Sequence, residues 1–103
     1  MRTFEFDAAG FKNVLDVYGA FDEILTALQS SCGGNNVNAL IDAMVYGGID
    51  YSNPYVVRFL NVGLASEIVN AEIALVVESL REAIAYKLAQ YGKAPEIIFE
   101  IKQ

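Results

Sequence analysis

Asn38 and Asp42 stand four residues apart in NVNALIDAMVY, residues 36–46. Side chains at that spacing lie on one face of a helix, so a hydrogen-bonding amide and a carboxylate can address the same partner. A carboxylate fixed on a short helix can take the place of a phosphate in a basic cleft at little ordering cost. Tyr46 extends the same face by one turn, and aromatic side chains of this kind often anchor interfaces. The preceding loop, Cys32-Gly33-Gly34-Asn35, has two glycines that let another molecule come close to the backbone. An ordinary solvated helix surface is the plain alternative for Asn38 and Asp42.

Two carboxylates can also form an acid and base pair when their surroundings push their pKa values apart, and Asp42 with Glu82 would be the pair to consider. Against hydrolysis stand the lack of any histidine and the small chain. Cys32 is the single cysteine, so there is no internal disulfide framework, and without an imidazole it has no partner to activate it. Histidine-based metal binding falls for the same reason. Gly33-Gly34 lacks the spacing and lysine of a phosphate-binding loop. No cofactor is expected.

The 103 residues suffice for one domain around a single core. A net charge of −6 argues against nucleic acid, whose phosphates need clustered Lys and Arg. Between Lys12 and Arg58 there is no basic residue, while Asp16, Asp22, Glu23, Asp42 and Asp50 fall inside that interval. Such an acidic half attracts and orients a basic partner. The N-terminal MRTFEFD has no long apolar core of an export signal, and no apolar run reaches the ~18 residues of a membrane span. A cytoplasmic protein that does not enter membranes is the expectation.

The elements that must position these residues follow from periodicity. Thr3 to Phe6 alternates and reads as a first strand. Asn13 and Asp16 form a capping box for a helix from Val14 to Leu28, whose stripe is Val17, Phe21, Ile24, Leu25 and Leu28. Asn36 caps a second helix with the stripe Val37, Leu40, Ile41 and Met44. A turn-rich connection, GGIDYSNP, carries Tyr51 as a further rim aromatic and leaves the Asn53-Pro54 bond cis or trans. Tyr55 to Leu60 reads as a buried strand. Val62 to Val69 reads as a short helix, and a long helix capped by Asn70 runs to Tyr91 with Ile73, Val76, Val77, Leu80, Ile84 and Leu88 on one face and Gly92 as its stop. On that helix Glu78 and Arg81 stand at the spacing of an exposed ion pair. Glu96 to Lys102 is a third strand. Helices between successive strands require crossover connections, which predicts an α/β fold with a small three-stranded parallel sheet and three or four packed helices. Phe21, Leu25, Leu40, Val57, Leu80, Ile84 and Ile98 should be buried.

The run GGNNVNALIDAM, set between an amphipathic helix and a proline-ended turn, resembles the barstar family of bacterial ribonuclease inhibitors. The family pattern is of the type Tyr-Gly-x-Asn-Leu-Asp-Ala-Leu-x-Asp, and Gly34, Asn36, Ala39, Leu40 and Asp42 match it. SLREAIA on the last helix is similar to the family's Phe-Arg-Glu-Ala run, and the element order covers nearly the whole chain. The resemblance implies a barstar-like domain over residues 1–103 that inhibits a basic ribonuclease, or a similar nuclease toxin, as a monomer or a 1:1 heterodimer. It implies that Asp42 enters the cleft where substrate phosphate would sit, and that Glu82 stands at a second interface acid. Gly34, Asn35, Asn38, Ile41, Asp42, Tyr46 and Glu82 are therefore the expected partner-binding residues. Asn38 stands where the family often has an Asp, Ile41 where an aromatic is common, and the turn from Tyr46 to Pro54 is longer, which implies a different toxin. A regulatory or interaction module with a non-nuclease partner is the alternative on the same fold.

Overall fold

A computed structural model describes residues 1–28, 34–47 and 53–103. The expectations that fall on Cys32, Gly33, Asp50 and Tyr51 lie outside those residues. Three strands, β1 (Arg2–Asp7), β2 (Tyr55–Leu60) and β3 (Ile97–Ile101), form a parallel sheet in the order β1-β2-β3. Three α-helices complete an α/β domain: α1 (Val14–Ala27), α2 (Val37–Met44) and α3 (Glu67–Tyr91). Among the described residues, no helix is long and apolar enough to cross a membrane. The Asn53-Pro54 bond is trans.

Strand alternation decides which face of the sheet meets the helices. Phe4 and Phe6 of β1, Tyr55, Val57 and Phe59 of β2, and Ile97 and Phe99 of β3 pack into the core with Phe21, Ile24 and Leu25 of α1, Leu40 and Met44 of α2, and Ile73, Val76, Val77 and Leu80 of α3. Phe59 meets Phe6, Phe11 and Phe21 at ring-centroid distances of 5.8, 6.3 and 5.9 Å, an aromatic group at the centre of the core. On the other face the register sets Glu5 beside Arg58 and Arg58 beside Glu100.

The helix starts have visible causes. Asn13 Oδ1 accepts from the Asp16 amide at 3.3 Å and Asp16 Oδ2 accepts from the Asn13 and Lys12 amides at 3.4 and 2.6 Å, which completes the capping box of α1. α3 begins earlier than the periodicity suggests. Ser66, not Asn70, is its cap, with Oγ accepting from the Val69 amide at 3.2 Å. The expected short helix over Val62 to Val69 is a 3-10 turn at Val62–Leu64 followed by the first residues of α3. Asn70 lies within the helix and donates from Nδ2 to the Val62 carbonyl at 2.7 Å, tying the turn to α3. Gly92, at φ 76°, closes the helix by donating its amide to the Leu88 carbonyl at 2.9 Å.

Of the seven residues expected to be buried, Ile98 and Ile84 are not fully so. Ile98 is 41% exposed and Phe99 is buried in its place. The apolar run Ile97-Ile98-Phe99 has no alternation of its own, so pairing with β2 sets the parity: Phe99 stands beside Val57 and Ile98 beside Val56 on the open face. Leu88 is 53% exposed because the buried positions of α3 end at Leu80. Ile84 is only partly buried, against the edge of the core. The remaining five expected core residues, Phe21, Leu25, Leu40, Val57 and Leu80, are fully buried.

Candidate partner-binding face

α2 has eight residues, too few to hold a helix by local propensity alone, so its shape comes from its caps and its buried side. Asn36 Oδ1 accepts from the Ala39 amide at 2.9 Å at the start. Leu40, Ala43 and Met44 are buried beneath it, and Val37 and Ile41 pack partly against the same core. Two glycines fit the chain closely around it. Gly34 has φ 69°, and a Cβ there would lie 3.1 Å from Ala39 Cβ. A Cβ on Gly47 would lie 2.2 Å from the Ala43 carbonyl oxygen, so only glycine passes the end of the helix.

This support leaves Asn38 and Asp42 exposed on the outer side, with Tyr46 45% exposed just beyond the helix end. Gly34 and Asn35 are exposed before the helix. Asn38 and Asp42 share the outer side of α2 by their i, i+4 spacing, with Gly34 and Asn35 before the helix and Tyr46 after it. Ile41 is divided between the core and the surface, so it offers a partner only part of its side chain. Glu82 is exposed on α3, two positions beyond buried Leu80 and so on roughly the opposite side of that helix. Beyond the shared core, Lys87 of α3 also reaches α2. Its Nζ donates to the Val45 carbonyl at 2.7 Å and lies 5.1 Å from the centre of the Tyr46 ring. Sequence reading missed this residue, because its contact with Val45 depends on how α3 is placed against α2.

Arg81 does not pair with Glu78 in a described contact. Its guanidinium donates to the Phe99 carbonyl at 3.2 Å and lies 5.6 Å from the Phe99 ring, against β3.

The acids of the base-free interval are not equally available. Asp16 spends its carboxylate on the α1 cap, and Asp22 is half-buried and engaged. Glu23 is exposed on α1. Asp42 has no hydrogen bond or ion pair among the described residues, and of Asp16, Asp22, Glu23 and Asp42 it alone stands on the α2 face. On the open side of the sheet, Arg58 holds Glu5 at 2.9 Å and Glu100 at 2.5 Å. The hydrogen bond from Arg58, with its charge, keeps the Glu100 carboxyl below the usual carboxylate range, and the two acids raise the Arg58 guanidinium in return.

Two buried tyrosines are structural. The Tyr18 hydroxyl donates to Glu72 and joins α1 to α3; burial first, and then Glu72, pushes its phenol well above its ordinary value. Burial does the same to Tyr55, whose hydroxyl has no partner among the described residues. Open depressions of about 570 Å³, between Arg2, Leu28, Pro54 and Tyr55, and about 420 Å³, between Phe11, Asp16, Gly19 and Glu23, lie away from the α2 face. Among the described residues, no cluster of three carboxylates, cysteines or histidines could hold a metal ion. No protein-family model and no curated protein matches the chain.

Proposed function

We propose that this protein is an inhibitor or immunity protein that binds a basic ribonuclease, or a similar nuclease toxin, and occludes its active site with the outer face of α2. The observation that carries this reading is Asp42, an exposed carboxylate with no partner among the described residues, on a helix whose other side is fixed by fully buried Leu40 and Met44. A nuclease cleft is built to hold phosphate, with Arg, Lys or His aimed at negative charge. A carboxylate presented rigidly there takes up those donors without the ordering cost of a flexible acidic loop. Asn38, one turn earlier, adds a neutral hydrogen bond, and Tyr46 adds apolar contact at the rim. The protein performs no chemistry in this role. It acts in the cytoplasm as one partner of a 1:1 complex.

A second reading is an interaction module for a partner that is not a nuclease. Lys87 beside Tyr46 favours it, since a cation next to Asp42's face makes that face mixed rather than purely acidic. Titration with the protein encoded in the adjoining reading frame separates the two. The inhibitor reading expects a 1:1 complex that abolishes nuclease activity and associates more slowly as salt rises. A complex that leaves nuclease activity intact, or no complex together with no protection of cells from that protein, contradicts it.

A further inference from the structure

α3 continues for three turns after its last buried residue, Leu80, and from Arg81 to Tyr91 every residue keeps partial or full exposure. Tyr86, Leu88 and Tyr91 are 60%, 53% and 66% exposed, while Ala83 and Ile84 pack partly against the core. The extension also delivers Lys87. Seven residues beyond Leu80, about two helical turns, Lys87 returns to the side of α3 that faces α2. There its ammonium donates to the Val45 carbonyl at 2.7 Å. Val45 is the C-terminal cap of α2, and its own amide donates to the Ile41 carbonyl at 2.9 Å. A cation at this end complements the partial negative charge of the helix terminus, and the same ammonium lies over the Tyr46 ring at 5.1 Å.

We infer that Lys87 is a positioning residue for the partner-binding face: it latches the C-terminal end of α2 and the Tyr46 ring to α3, and so sets the presentation of Asp42. α2 is fixed at its start by Asn36 and along its inner side by Leu40 and Met44, and Lys87 adds a charged contact at its last turn. The latch is reversible by chemistry that removes the charge. Neutralising the ammonium removes the charged hydrogen bond and the contact with the Tyr46 ring together, leaving the core of the sheet untouched. Its significance for binding rests on the function proposed above, but its existence does not.

The test compares Lys87→Met and Lys87→Arg in the free protein by amide hydrogen exchange. Lys87→Met should speed exchange at Ala43, Met44 and Val45 on the order of tenfold, the scale of a lost charged hydrogen bond, while β2 amides keep their protection. Lys87→Arg, which retains charge and donors, should restore slow exchange. Unchanged exchange in α2, or an equal rise through β2, overturns the latch. The two claims fail separately. If Lys87→Met loosens α2 but Asp42→Ala still binds the adjoining-frame protein at full strength, the latch stands and the inhibitor reading falls. If Asp42→Ala weakens that binding and Lys87→Met changes neither exchange nor affinity, only the latch falls.

Discussion

Two surfaces of this domain carry carboxylates, and they use them in opposite ways. On the open face of the sheet, Glu5 and Glu100 close on Arg58 from the two neighbouring strands, so the charges answer one another within a row fixed by strand register. On α2, Asp42 projects with no cation paired to it among the described residues, and the cation that α3 sends across goes to the helix end and to Tyr46. Charge satisfied inside the fold contributes to the fold, whereas charge held out on a rigid support is available to a partner. The count of acids along the chain does not separate these cases; their partners do.

The largest expected effect falls on the support. Leu40→Ala should lower unfolding free energy by about 2–5 kcal/mol in urea denaturation, because Leu40 is fully buried under α2. A loss below about 0.5 kcal/mol, the scale of a surface substitution, would mean that α2 is not anchored by this side chain. Asn36→Ala should cost about 1 kcal/mol by the same measurement, through the cap it gives to the Ala39 amide. Glu100 gives a smaller effect with a definite pH sign. Its folded pKa lies below its unfolded value, so its contribution is present above the ordinary carboxylate range near pH ~4 and fades as pH falls through the folded value. Glu100→Gln should therefore flatten the acid limb of a plot of urea midpoint against pH. An unaltered limb would show that the Arg58 row adds nothing to stability in acid.

Much of this architecture was legible because local signals agreed. The box of Asn13 and Asp16, the cap at Asn36, the dense β-branched and aromatic run Tyr55 to Leu60 and the stop at Gly92 each name their own boundary. Reading failed where two signals competed. Ser66 and Asn70 are both good caps, and the 3-10 turn before Ser66 decides in favour of the first. Ile97, Ile98 and Phe99 are all apolar, so only pairing with β2 says which of them turn inward. The outer face of α2 was legible from i, i+4 spacing, since a stripe of buried residues dictates what lies opposite. Lys87 was not, because a long side chain reaching a carbonyl on another helix depends on tertiary placement that spacing within one element does not contain.

The role of the outer α2 face is decided by the affinity of Asp42→Ala for the adjoining-frame protein, taken together with the variant's stability. The account predicts a loss of about 2–5 kcal/mol in binding, mainly as faster dissociation, because a cation in the partner's cleft is left buried and unpaired. The urea midpoint should stay at its wild-type value, since this carboxylate has no hydrogen bond or ion pair among the described residues. Wild-type affinity in Asp42→Ala would contradict the account and show that the outer face of α2 is not where the partner binds.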